Sequence, residues 1–398
     1  MSPVAVGAVA AGAGPPATAP AGARALPEEA FAAALAALET MTPRRLLLLV
    51  RSGLPLEAVW EGVVSGRSEG LPALDRLWES TDLLRARWPR EAGRVDVEAL
   101  WARCHDQSVV VLGRPGYPEE LAADPLPPPV LFGRGSWSAI ASPSVAIVGT
   151  RHATVGGMEV AAALGRDLAA AGVTVVSGLA KGIDGAAHRG ALFVEGGPPP
   201  VAVVGSGLDV VYPRCNHGLW EAIAENGLLC SEGPPGTRPA AHRFPARNRI
   251  LAALADVVVV VESRVRGGSL LTVSEAQQRG VPVMAVPGSV RSPASEGTNL
   301  LLVDGAPPAV DALDVLVALG LEARPARRGR RDRRPPPEPG DRTLLELFGT
   351  DALTLEVVVL RSGRPLPEVA VALGRLEAGG WLSRSGGWFE AVGAGGGR

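Results

Sequence analysis

The chain has almost no lysine. Of its 39 basic residues only Lys181 is not an arginine, and it sits in the glycine-bearing stretch SGLAKGID, residues 177–184. Cysteine is scarce too: Cys104, Cys215 and Cys230 lie far apart with no CxxC spacing. That pattern excludes a disulfide framework and a cysteine zinc site, and suits buried thiols in a reducing compartment. The five histidines are equally scattered, so no structural metal is expected. Aromatic residues make up 4% of the chain, and no uninterrupted apolar run reaches the length of about 18 residues that a spanning helix needs. The formal net charge of −2 gives no overall attraction to a polyanion, so binding of that kind has to come from a local patch. The first 27 residues are rich in Ala, Gly and Pro and lack a basic segment followed by a compact apolar one. They read as a disordered tail rather than a signal peptide, and the expected compartment is the cytoplasm.

What is present suggests a multidomain globular chain. It has 398 residues, 46% of them hydrophobic, with 50 glycines and 36 prolines to supply turns. Residues 28–105 read as helical, with apolar residues recurring at three and four in PEEAFAAALAALET and LPALDRLWESTDLLRARW. A bridge, VVVLGRPGYPEELAADPLPPPVLFGRG, follows, dominated by turn chemistry and proline. From residue 144 short apolar runs alternate with helical stretches: SVAIVG, VTVVSG, VAVVGSG, LLCSE, DVVVVVES and VPVMAVPG. Each is β-branched and apolar on both faces, as a strand buried between two helix layers should be. Their spacing predicts parallel strands with right-handed crossovers, a Rossmann-like doubly wound α/β domain over 106–320. An Arg/Pro-rich linker over 321–340 carries seven arginines between Arg324 and Arg334. Residues 341–398 read as three short helices and a hairpin turning at Ser385-Gly386-Gly387, a winged-helix pattern.

Ligands of doubly wound sheets bind outside the carboxyl ends of the strands. The loops there are GTRHATVGG, SGLAKGID, GSGLDVVYP, SEGPPGTRPAAHRFPARNR and ESRVRGGSLLTVSE. Each combines glycine or a hydroxyl with charge where a helix begins, which is the chemistry of an anion site. TVSE, Thr272 to Glu275, fits a capping box and predicts a helix start. Arg151, Lys181, Arg247 and Arg249 are expected to project over this edge, so a phosphorylated ligand is expected. No loop matches GxGxxG, because Val210 stands where the third glycine is needed, and Lys181 is followed by Gly182 rather than Ser or Thr. NAD and ATP of the usual kinds are thereby disfavoured, and no cofactor is expected. Plainer readings stand beside these. Lys181 could be a solvated loop residue, Arg151 could pair with Asp184 or Glu232, and Tyr212 and Phe244 could pack against their neighbouring prolines. Asp184 and His188 are read as a capping and a packing residue rather than an acid–base pair.

The motifs VGTR, SGLAKGIDGAAHRGAL, GSGLDVVYP, FPARNRI, GGSLLT, AVPG and GTNLLLVDGA resemble, in order and spacing, the DNA-processing protein A (DprA/Smf) family. The resemblance runs from the PGYP bridge to residue 306. It implies a non-enzymatic, Rossmann-like binder of single-stranded DNA, with a helical SAM-like domain in front and a winged-helix domain behind. It also implies protection of incoming DNA, delivery to the RecA recombinase during natural transformation, and a homodimer. Carried over by motif, the DNA pocket falls on Arg151, on Ser177, Gly178 and Lys181, and on Phe244, Arg247, Asn248 and Arg249, with Gly267, Gly268 and Ser269 completing the rim. The chain departs from the family at Gly156, where an aromatic is common, and lacks the GxG hairpin turn of a DNA-binding helical front domain. The helix over PLPEVAVALGRLEAG offers only Arg375 against Glu368 and Glu377, too little for a major-groove reader. The competing enzyme reading is a lysine-decarboxylase-like nucleotide phosphoribohydrolase, which needs a GGxGTxxE loop. Here GGSLLTVSE has an extra residue before Thr272 and leucine at the third glycine.

Overall fold

The structure is a computed structural model that describes residues 25–140, 143–321, 335–348, 353–385 and 387–392. Most of the N-terminal tail and most of the Arg/Pro-rich linker lie outside the described residues, as does Gly386 of the hairpin turn. The chain divides into two units, residues 1–323 and 324–398.

The first unit begins with six helices, as the periodicity predicts: α1 Glu28–Ala36, α2 Pro43–Val50, α3 Leu56–Ser65, α4 Pro72–Ser80, α5 Asp82–Ala92 and α6 Val97–Ala102. Local chemistry sets their ends. The Thr42 hydroxyl accepts from the Arg45 amide ahead of a proline, Gly66 closes α3 in the left-handed region, and the Asp96 carboxylate accepts from the Ala99 amide. Their apolar faces meet around Leu35, Leu56, Leu74 and Trp88. That core continues without a break past residue 105 to Phe132, Val204 and Leu229 on or beside the strands of the following sheet and to Trp220 on a helix that covers it.

The sheet has eight strands: β1 Ser108–Val111, then, after α7 (Glu119–Ala122), β2 Val130–Gly135, followed by β3 Ser144–Val148, β4 Thr174–Ser177, β5 Val201–Val203, β6 Leu228–Ser231, β7 Val257–Val260 and β8 Val283–Ala285. Their order is β1-β2-β6-β5-β4-β3-β7-β8. The six apolar runs form the parallel part, β3 to β8. The bridge contributes two strands that its turn-rich sequence concealed: β1 pairs antiparallel with β2, and β2 with β6. Helices α8 (Val155–Ala170), α9 (Ile183–Leu192) and α14 (Ala312–Ala318) pack on one face. On the other lie α11 (Arg243–Ala253) and α12 (Ser269–Gln278), while α10 (His217–Asn226) joins the core shared with the front helices and α13 (Glu296–Val303) follows β8. Helices α8 and α9 approach backbone to backbone, because a Cβ at Gly190 would overlap the Ala162 carbonyl.

Two local expectations are corrected. α12 starts at Ser269 with Gly268 as its cap, so Thr272 is a buried residue inside the helix and the TVSE box is not formed. The glycine pair supplies the turn, so the cap falls four residues earlier, at Gly268, and Thr272 is drawn into the core. A capping box does occur at α14, between Asp311 and Asp314. Asp184 does not cap α9, whose cap position is Gly182.

The second unit contains α15 Pro339–Glu346, β9 Leu353–Thr354, α16 Leu355–Ser362, α17 Leu366–Ala378, β10 Leu382–Ser385 and β11 Trp388–Ala391. The three expected helices and the hairpin are present, and β9 adds a third strand in the order β10-β11-β9. Leu344, Phe348, Val358, Leu373 and Phe389 form its core. No helix among the described residues is long and apolar enough to cross a membrane.

His188 is fully buried on α9, and burial pushes its imidazole from 6.5 down to about 3. The unfolded chain therefore takes up a proton near pH 6.5 that the folded chain refuses until about pH 3. The stability from the neutral ring is complete above pH 6.5 and is lost as pH falls, by up to about 1.4 kcal/mol per pH unit. Urea midpoints measured between pH 7 and 5 should fall more steeply for wild type than for His188→Gln. Parallel curves would contradict a buried neutral imidazole.

Candidate functional site

In sheet order the first parallel strand, β3, lies beside the fifth, β7, so the chain's direction of winding reverses between them. Such a switch point opens a crevice at the carboxyl edge. A cleft of about 620 Å³ lies there. One wall is the loop after β3, with Gly149, Thr150, Arg151 and His152; the opposite wall is the loop after β7, with Arg264, Arg266, Gly267 and Gly268. Phe244, Pro245 and Asn248, from the first turns of α11, form the third side.

Glu262 fastens the two loops together. Its carboxylate accepts from the Thr154 amide at 2.9 Å and the Thr154 hydroxyl at 2.6 Å, and its backbone carbonyl accepts from the Thr150 amide at 2.8 Å. The Thr154 hydroxyl in turn accepts from the Gly157 amide and caps α8. Gly157 rests directly on the Glu262 carboxylate, leaving no room for a Cβ, whereas a Cβ at Gly156 would meet only the Thr154 hydroxyl, at an ordinary 3.9 Å.

The structure sorts the four expected cations into two kinds. Arg151 and Lys181 are exposed at the rim, with no acidic partner among the described residues. Arg247 is buried beneath them: it donates to the carbonyls of Gly178 and Val203, and its guanidinium lies 3.8 Å from the Asp184 carboxylate. Burial lowers its pKa to about 10, with Asp184 opposing, so it stays charged at neutral pH. Burial likewise pushes the Asp184 carboxyl up, against the opposing pull of Arg247. Arg249 is also buried and pairs with Glu232. Two further exposed cations, Arg264 and Arg266, line the cleft. Their sequence signal is their place in the ESRVRGGS loop, just ahead of the glycine turn.

The remaining expected residues divide similarly. The Arg151 guanidinium stacks 4.7 Å from the Phe244 ring, and Phe244 meets Tyr212 at 5.3 Å with a tilt of 33°. Phe244 is thus part of a stack, and Tyr212, 40% exposed, is its outer member. Gly178 and Lys181 line a small adjoining pocket of about 50 Å³ that shares Arg151, Tyr212 and Phe244 with the main cleft. Ser177 is buried and donates to the Ile147 carbonyl at 2.6 Å, inside the sheet. The hydroxyl of Ser269 donates to that of Ser263 at 2.9 Å, while Gly267 and Gly268 lie at the cleft wall. Exposed cations, loop backbone and an aromatic stack around an open crevice suit an anionic chain carrying flat rings. Among the described residues no group of three or more His, Cys, Asp or Glu could hold a metal.

The sequence pattern of the family described as DNA recombination-mediator protein A matches residues 108–320, more than half of the chain. This chain belongs to that family. Protein Smf of Escherichia coli K12 is 34% identical over 302 residues, 74% of this chain and 80% of that protein. DNA processing protein DprA of Streptococcus pneumoniae R6 is 40% identical over 204 residues, 50% of this chain and 70% of that one. The X-ray structure of the Streptococcus pneumoniae DprA superposes with a TM-score of 0.60 at 30% identity, covering 73% of this chain and 98% of its own. The recombination-mediator match runs from β1 to just past α14, so it contains the whole cleft.

The split between buried and exposed cations has a measurable consequence. Arg249→Met leaves the partly buried Glu232 without its partner and should cost about 2 kcal/mol in urea unfolding. Lys181→Ala should change stability by no more than about 0.5 kcal/mol. Equal effects would mean that the two cations share one environment.

Proposed function

We propose that the chain binds single-stranded DNA along the carboxyl edge of its sheet, protects it, and hands it to the RecA recombinase. The setting is cytoplasmic recombination after DNA uptake, as in natural transformation, with a homodimer as the working form and no catalytic turnover. The observation that carries this reading is the set of four exposed cations without acidic partners, Arg151, Lys181, Arg264 and Arg266, around a cleft that also presents Tyr212. Such a surface binds phosphates by charge and bases by stacking, which tolerates any sequence. The Streptococcus pneumoniae relative is named for DNA processing, and the family description is that of a recombination mediator. In this reading Arg151, Lys181 and the backbone of Gly178, Gly267 and Gly268 take phosphates, Asn248 addresses a base edge, and Arg247 and Arg249 hold the platform from below.

The hydrolase reading is not favoured. Glu275, the acid its motif would aim at a substrate, is bound to Arg279 at 2.6 Å and does not line the cleft. Reading of duplex DNA by a winged-helix second unit is not favoured either. Arg375 on α17 is engaged by Asp341 through two hydrogen bonds of 2.8 and 2.7 Å.

Titration of fluorescent oligo-dT at several salt concentrations tests this reading, with duplex of equal length as competitor. Four phosphate contacts predict a slope of log K against log salt of about −3, from −0.7 per contact. Lys181→Ala should weaken binding and flatten the slope by about 0.7, with duplex competing poorly. Protein bound to the strand should then shorten the lag of RecA filament assembly. Absence of single-strand binding, or indifference to Lys181, would remove the site.

A further inference from the structure

A second cleft, of about 900 Å³, lies between the front helices and the β6–α11 loop. One wall is the α1–α2 connection through Thr40 to Arg45, and the other is Gly233 to Arg238 with the start of α11. Its charge balance is positive. Arg238 and Arg243 are exposed and form no ion pair among the described residues, although Arg243 lies near enough to Glu232 to favour its charged form. Arg45 donates to the Thr40 carbonyl at 2.6 Å, a contact that leaves its charge uncompensated. The two acids at this cleft are committed elsewhere: Glu232 to Arg249, and Glu39 to Arg94 at 3.5 Å.

The first turn of α11 is the ridge between the two clefts. His242, Arg243 and Ala246 face the second; Phe244, Pro245 and Asn248 face the first. Arg247 lies beneath both, and its Nε has no hydrogen-bond partner. Val204 and Gly205 continue the floor from the small Lys181 pocket into the second cleft. No side chain caps the α11 N-terminus, so the amides at the crest of the ridge have no side-chain acceptor. A polyanion crossing from one cleft to the other meets cations on both sides of the ridge.

We propose that the second cleft continues the single-strand site. A strand bound at the switch point crosses the first turn of α11 and is held beyond it by Arg238, Arg243 and Arg45. The front helices then contribute a wall of the DNA path, although they lack a DNA-binding hairpin of their own. This inference rests on the reading given under Proposed function and extends it.

The test compares oligo-dT of about 6 and about 16 nucleotides, within the range that single-strand sites span. Both are titrated against the full chain and against Arg238→Glu/Arg243→Glu, whose side chains are exposed and carry no packing role. For wild type the longer oligonucleotide should bind more tightly, with a salt slope steeper by about 2, from three contacts at about 0.7 each. In the double variant the short oligonucleotide should bind as in wild type, while the gain on lengthening disappears. A 5-iodouracil placed at successive positions of the longer strand should cross-link to the peptide spanning residues 36–46 at one end only. If the variant keeps the full gain, or no position cross-links to that peptide, the second cleft is not part of the path. If the short oligonucleotide fails to bind wild type, the single-strand reading itself falls, and this extension with it.

Discussion

Arg247 reaches from α11 under the carboxyl edge of the sheet and donates to the carbonyls of Gly178, just past β4, and Val203, at the end of β5, while facing Asp184 on α9. Strand-end carbonyls that point into a ligand crevice have no ladder partner, and leaving them buried and unpaired is costly. A guanidinium meets several acceptors at once because its donors are fixed in a fork. Desolvation makes the buried charge expensive, and Asp184 offsets part of that cost. The arrangement dictates sequence around it, since a Cβ at Gly178 would overlap the guanidinium. α9, α11 and the two strand ends are thereby set in register before any ligand arrives.

Above that platform the rim is built differently. Arg151 is held by stacking on Phe244 rather than by an acid, so its charge remains available while its direction is fixed. Lys181 stands on the α9 side of the small pocket, where the loop backbone turns through Leu179 at φ 54° and Gly182 at φ 74°. A compact ammonium on a flexible stem can follow a phosphate in so confined a place, whereas a planar guanidinium needs room for its fork. That is a physical reason for a chain of arginines to hold a lysine at this one position.

The parallel sheet could be read from sequence because each of its strands is apolar on both faces, a pattern that only double burial requires. β1 and β2 could not: they are held by antiparallel pairing at the sheet edge, and the glycines and prolines of the segment around them signal turns. The site was legible as a set of loops but not as a set of directions. FPARNR announces two arginines at the right edge, yet whether a guanidinium turns up to solvent or down to strand carbonyls depends on the phase of α11. From Arg247 onward that helix is buried on every side, through Ala252. Burial on all sides converts its cations into structural ones, and it is settled by packing partners more than forty residues away. Arg264 and Arg266 escape this because they precede the glycine turn into α12 and remain in the loop.

The chain carries a net charge of −2 and still presents a cationic edge. It does so by occupying its acids. Asp184 faces Arg247, Glu232 pairs with Arg249, Asp209 with Arg103 at 2.5 Å, and Glu275 with Arg279, while Glu262 is taken up by Thr154. The four ion pairs are close to neutral as seen from the crevice, and the one carboxylate held by an uncharged partner, Glu262, is outnumbered there by the exposed cations Arg151, Lys181, Arg264 and Arg266. A surface made this way attracts a polyanion at short range, without the long-range pull of a strongly basic chain. With a Debye length of about 8 Å at physiological salt, only charges at the rim itself count for a bound strand. Committing acids to structural arginines therefore serves the fold and the ligand together, and each buried pair that breaks would weaken both.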